Sequence, residues 1–154
     1  MADNHLQGSV PGAAGVPRAF GLLLLAEAAT LAIASYLHRD GSIALGFTVI
    51  RGERFTGASI PEAVIGAVLA VGAVIVLAVP ARARRAAVSA TVFGIFGFVL
   101  GTAFVLTSGR PSVAIDLTYH SVLLAVLVTS LVMLLRRPTA APGHAAGRQR
   151  VRSR

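Results

Sequence analysis

The chain has 154 residues, of which 55% are apolar and only 13% charged, whereas soluble domains usually carry about 25% charged residues. It has no cysteine, which excludes disulfides, thiolate metal sites and cysteine nucleophiles. The formal net charge is +8, and every basic residue is an arginine. No recognised nucleic-acid-binding module accompanies this charge, so we expect no nucleic-acid partner and assign the arginines to membrane orientation and to anionic lipid headgroups.

The chain order predicts an all-α fold, a four-helix transmembrane bundle between two tails. Each of four apolar segments has roughly the 20 residues that a helix needs to cross a bilayer. A flexible tail rich in Gly, Ala and Pro comes first, and a basic, disordered tail comes last. The predicted parts are tail 1–17, bundle 18–137 with spans at about 19–37, 63–80, 86–107 and 113–135 and an external loop at 38–61, and tail 138–154.

The first apolar segment has one competing interpretation. A signal peptide has an apolar stretch followed by a small-x-small cleavage site, and Ala32-Ile33-Ala34 has that pattern. The long leading region, which carries an aspartate, and Glu27 within the apolar stretch both favour a permanent span instead.

Arginine asymmetry predicts the orientation. Ten arginines flank one end of the predicted bundle and four the other, and the arginine-rich side is usually cytoplasmic. We therefore expect both termini in the cytoplasm and the protein in the cell membrane. The arginines expected to contact anionic lipid headgroups are Arg82, Arg84, Arg85, Arg136 and Arg137.

The long connection between the first two spans has some predicted order. Its stretch Ile43 to Ile50 is apolar and β-branched, which indicates a short hairpin or an interfacial segment, and Arg51 to Arg54 then reads as a turn. Ser59 and Glu62 fit a capping box that would start the second helix.

Glu27 is the strongest single functional signal, because it lies near the middle of its span, where an unpaired ionised carboxylate costs several kcal/mol. His38 shares its helix face. On the fourth span Asp116 and His120 are four residues apart, with Tyr119 beside them. The sequence predicts one polar pocket in which the Glu27 carboxylate and the His120 ring lie within direct or one-water reach.

The pocket has three interpretations. Acids and histidines can relay protons through a membrane, and Glu27, Asp116 and His120 also offer donors that zinc, iron or manganese accept. The third is purely structural, with polar groups joining helices. Neither the Glu-x-x-His nor the His-Glu-x-x-His metal motif occurs, so we expect no cofactor, with a metal ion as the alternative.

The third span carries Gly94, Gly97 and Gly101 on one face. Small residues at this spacing allow close helix packing, either within one chain or between two copies in a homodimer or larger complex.

A family resemblance rests on the Ile-Pro-Glu-Ala-Val-Ile-Gly run at the second span and the Asp-Leu-Thr-Tyr-His opening of the fourth. With them the chain resembles small four-span membrane proteins of actinobacteria, a likeness that covers roughly Arg18 to Arg137 and implies no activity. It is also similar to small multidrug resistance exporters, which have four spans and a glutamate in the first. It departs from those exporters in its long first loop, its lack of tryptophan and its histidine in span four.

Three functional classes follow. The chain is expected to be a multi-pass membrane protein, as an accessory or structural subunit. The alternatives are a small proton- or metal-coupled transporter using Glu27, and a membrane-embedded metal-binding protein or enzyme using His120. The familiar soluble catalytic motifs are missing, so an enzyme is the less favoured class.

Overall fold

The computed structural model describes residues 16–52, 54–107 and 113–136. Most of both predicted tails lies outside these residues. The described chain is helical apart from one hairpin, which confirms the all-α, four-helix prediction. The elements are α1 (Arg18–Leu37), β1 (Ser42–Ala44), β2 (Val49–Arg51), α2 (Thr56–Ala78), a 3₁₀ turn (Pro80–Arg82), α3 (Ala83–Thr107) and α4 (Val113–Leu135).

All four helices are long and apolar enough to cross a membrane. Their outward faces carry large apolar side chains, among them Leu22, Val71, Phe96 and Met133, each more than half exposed. A monomeric soluble protein rarely shows so large an apolar surface, whereas the same surface suits contact with lipid chains.

The helices pack in chain order, α1 on α2, α2 on α3 and α3 on α4. Neighbouring helices are antiparallel. A hairpin connects the end of α1 to the start of α2, the 3₁₀ turn connects α2 to α3, and the Arg84 guanidinium near the start of α3 bonds to the Leu134 carbonyl near the end of α4 (3.2 Å). Among the described residues, the backbones of α1 and α4 do not pack extensively. The side of the bundle between α1 and α4 is therefore bridged mainly by side chains.

A β-hairpin joins α1 to α2. Strands β1 and β2 are antiparallel, with Ser42 opposite Arg51, and the Leu45 amide donates to the Thr48 carbonyl across the turn. Gly46 takes a positive φ of 81° there, a conformation that glycine adopts without strain. The hairpin prediction agrees with this. The turn predicted at Arg51 to Arg54 begins too early, because Arg51 belongs to β2, and its residue Glu53 lies outside the described residues.

The start of α2 differs from the prediction. The helix begins at Thr56, seven residues before residue 63, and its cap residue Phe55 makes no side-chain cap bond. The predicted capping box of Ser59 and Glu62 is therefore wrong. Pro61 lies within the helix, where its missing N–H leaves the Gly57 carbonyl without the usual helical donor.

The core is a thin column of apolar side chains along the bundle. Leu31, Leu69, Phe98 and Leu127 are among its fully buried members. Close approach depends on small residues: a Cβ added at Gly72 would lie 2.5 Å from the Ala90 Cβ. Thin, small-residue packing leaves room for polar side chains in the interior.

Candidate functional site

Three ionisable side chains meet at the hairpin end of the bundle. His38, just after α1, places its Nδ1 atom 2.8 Å from Glu62 Oε2 on α2, and its Nε2 atom 3.8 Å from Asp116 Oδ1 on α4. The Glu62 side chain is 4% exposed and that of His38 14%, so the pair is held away from water. We call His38, Glu62 and Asp116 the end triad.

Aromatic rings cover this triad. The Phe55 ring meets the His38 ring edge-on at 5.8 Å and stacks on Phe104 of α3 at 6.0 Å. The Phe55 amide also donates to the His38 carbonyl. One imidazole thus joins three helices inside an apolar cover, which strengthens its electrostatic contacts.

Glu62 is the member of the triad that the sequence prediction assigned elsewhere. The Ser-x-x-Glu pattern suggested a cap, and such short patterns also occur inside helices. A usable signal was present: His38 and Glu62 flank the same connection. Antiparallel helices joined by a hairpin bring the end of the first and the start of the second to the same level.

Below the triad, α4 turns Tyr119 and His120 into the bundle. The two rings meet edge-on at 5.5 Å, and the His120 ring also meets Phe98 edge-on at 5.4 Å. The Tyr119 hydroxyl lies near the Thr30 side chain but is buried without a hydrogen-bond partner. Along the bundle, Tyr119 therefore lies between the end triad and the part of α1 that carries Thr30.

Glu27 lies one turn farther along α1, and its carbonyl accepts a bond from the Thr30 hydroxyl. Its side chain is only 4% exposed, which confirms that it faces the interior. Neither carboxylate oxygen has a hydrogen-bond partner. Glu27 therefore makes no direct hydrogen bond to His120, whose Nδ1 bonds to the Asp116 carbonyl, and the predicted one-water reach between the two side chains stays a prediction.

The donors do not converge as metal ligands do. Within residues 16–52, 54–107 and 113–136, no three histidine, aspartate or glutamate side chains are placed to hold one ion. In the end triad the two carboxylates approach opposite ring nitrogens of His38, so they share no common coordination point. The predicted ligand set of Glu27, Asp116 and His120 is not brought together.

A cavity lies nearer the arginine-rich end of the bundle than Glu27 does. It lies between the first half of α1 and the second half of α4, with a volume of about 480 Å³. Leu23, one helical turn before Glu27, lines it, and its polar lining residues are Thr129 and Ser130. Polar side chains thus lie in the hairpin half of the α1–α4 side, and this cavity, which Glu27 itself does not line, lies in the other half.

The remaining predicted residues fall into two groups. A Cβ at Gly94 would lie 3.2 Å from Leu127, and one at Gly97 2.5 Å from Ile65, so both glycines stand at close helix contacts. At Gly101 the nearest atom would be His120 Nε2 at 4.0 Å, so no helix contact requires a glycine there. The guanidinium of Arg84, which was predicted to contact lipid headgroups, donates a hydrogen bond to the Leu134 carbonyl at the end of α4.

No protein-family model matches this chain, and no curated protein or solved structure shows detectable similarity to it.

Proposed function

We propose that this protein is a small multi-pass protein of the cell membrane, with cytoplasmic termini, that passes protons through its bundle by way of Glu27. The apolar outer faces support insertion in a bilayer. The arginines of the described residues support the orientation, because Arg18, the Arg82–Arg85 cluster and Arg136 lie at one end.

The observation that carries this proposal is the set of buried polar atoms without partners. Both Glu27 oxygens, Glu62 Oε1 and the Tyr119 hydroxyl belong to it. Side chains that serve only to join helices satisfy their hydrogen bonds inside the protein, because an unmade bond costs about 1–3 kcal/mol. Unpaired acids in a membrane interior are typical of proton relays.

The route has an entrance at each end. The end triad receives the proton on the hairpin side, and Tyr119 with Thr30 connects it to the depth of Glu27. Beyond Glu27, the cavity lined by Thr129 and Ser130 would carry the route on toward the arginine-rich end, where Ala19 and Met133 line it. Waters can bridge the remaining gaps, since the interior offers several unmatched acceptors.

Proton flux into vesicles tests the proposal. The full chain is reconstituted with a pH-sensitive dye trapped inside, and a potassium diffusion potential drives protons inward. We expect flux above protein-free vesicles, reduced at least about tenfold in Glu27→Gln, because the amide keeps the size of the side chain but cannot carry the proton. Asp40→Asn is the matched control, since Asp40 pairs with Arg54 at an exposed position outside the bundle.

Two results would overturn the proposal. Flux no greater than that of empty vesicles, or equal flux in wild type and Glu27→Gln, leaves the accessory or structural role as the explanation of the buried polar residues.

A further inference from the structure

A groove between α2 and α3 meets the proton route at one residue, Glu62. Its volume is about 470 Å³, and four phenylalanines line it: Phe93, Phe96, Phe98 and Phe104. Phe96 is 63% exposed on the outer face of the bundle, whereas Phe98 is buried. The groove therefore runs from the lipid-facing surface into the interior.

The floor of the groove is polar. Glu62 and His120 both line it, and each residue is more than nine-tenths buried. Glu62 Oε2 is bonded to His38, but Glu62 Oε1 has no partner. A buried carboxylate oxygen without a hydrogen-bond donor is a strong acceptor, so a ligand that brings a donor to it would be stabilised.

The second floor residue is also an acceptor. His120 Nδ1 lies 2.6 Å from the Asp116 carbonyl oxygen, which only accepts, so Nδ1 carries the hydrogen. In the neutral ring Nε2 is then a bare acceptor. Because Gly101 has no side chain, nothing covers Nε2 from that side; even a Cβ there would stay 4.0 Å away.

We propose that this groove binds an amphiphilic primary or secondary amine from the lipid phase. Its ammonium N–H groups donate to Glu62 Oε1 and His120 Nε2, and its apolar body lies along the phenylalanine rings. The positive charge complements the carboxylate and the negative faces of the rings. Fatty acids and quinones present acceptors to these two acceptors, so they do not fit. The proposal needs the bilayer location but not the proton route.

Binding is measured on the full chain in lipid nanodiscs with radiolabelled dodecylamine, after subtraction of empty discs. The comparison ligand is dodecyltrimethylammonium, which has the same chain and charge but no N–H. We expect the primary amine to bind at least about tenfold more tightly, the factor that corresponds to about 1.4 kcal/mol. Unlabelled dodecanoate should not displace it.

Two variants locate the site. Glu62→Gln removes the charge, and Gly101→Leu fills the groove while leaving both polar side chains in place. Both should reduce amine affinity at least about tenfold, Glu62→Gln because a charge-assisted contact is lost and Gly101→Leu because its side chain occupies the space of the amine. Asp40→Asn should bind as wild type does.

Equal affinity for the quaternary ligand, displacement by dodecanoate, or binding unchanged in both variants would each refute the amine site. If a variant does not elute as the wild type does in size-exclusion chromatography, Gly101→Ala replaces it as a milder obstruction of the groove. A Gly101→Ala protein that binds dodecylamine as tightly as wild type does, but no longer prefers it to the quaternary ligand, also counts against the amine site. Binding is read without proton flux, so its failure is distinguishable from failure of the proton route.

Discussion

His38 is the residue on which the end of the bundle depends. Its ring bonds Glu62 through one nitrogen and approaches Asp116 through the other, so a single side chain holds α2 and α4 to the end of α1. Removing one partner of a buried hydrogen bond leaves the other unsatisfied, at about 1–3 kcal/mol, whereas exposed ion pairs contribute about 0–1 kcal/mol.

A double-mutant cycle on His38→Ala and Glu62→Gln tests this difference. We expect each single change to lower stability and the coupling free energy to be about 1–3 kcal/mol, because the two side chains share one buried contact. Unfolding of the purified protein in mixed micelles gives the free energies. The control cycle on Asp40→Asn and Arg54→Gln should give about 0.5 kcal/mol or less, as exposed pairs do. Coupling in the His38 cycle no larger than in this control would contradict the argument.

At the scale of elements, glycine positions decide how closely the helices pack. Gly72 faces the Ala90 Cβ, which belongs to a side chain too short to move away. Gly101 faces open space except for His120 Nε2. Gly72 and Gly101 both lie within apolar helices, yet they have different structural roles.

Gly72→Ala should destabilise the bundle by about 1–3 kcal/mol, because the added methyl group forces α2 and α3 apart. Gly101→Ala is the matched control, and its stability should remain within about 0.5 kcal/mol of wild type, since its new Cβ meets no close neighbour. Thermal unfolding followed by loss of helical circular dichroism measures both. A larger loss at Gly101 than at Gly72 would show that the packing has been assigned to the wrong helix face.

The sequence predicted the elements better than their contacts. Segment length and apolarity identify four helices, because bilayer thickness fixes both. The buried position of Glu27 also followed, since an acid costs least when it faces the interior. The partner of His38 did not follow: Glu62 has a plausible local role as a helix cap. Whether it caps α2 or bonds to His38 depends on how the hairpin aligns the end of α1 with the start of α2.

At the scale of the whole molecule, charge separates the two ends of the bundle. Arg82, Arg84 and Arg85 lie at one end with Arg136, and the hairpin lies at the other with Arg51 and Arg54. In a bilayer the first end should face the cytoplasm.

Reporter fusions test that orientation. A reporter active only in the cytoplasm should work when inserted at Arg82 or attached after Arg154, and should be silent when inserted near Arg51. Weakening the bias, by changing Arg82, Arg84 and Arg85 to Gln, should lower the proportion of correctly oriented protein. Activity at Arg51 in the unaltered chain would reverse the proposed topology.

The hairpin also determines which relative motions the bundle permits. The Gly52 amide donates to the Gly41 carbonyl and the Phe55 amide to the His38 carbonyl, so the ends of α1 and α2 are fastened to each other by backbone bonds. Sliding between these two helices would break that fastening, whereas α4 is joined to α1 at this end through the 3.8 Å His38–Asp116 approach. A rocking movement of α3 and α4 against a rigid α1–α2 unit would separate His38 from Asp116 and shift the packing of α3 on α2, including the Phe55–Phe104 stack, but would leave the His38–Glu62 bond intact. His38 would then stay with the α1–α2 unit while Asp116 moves with α4.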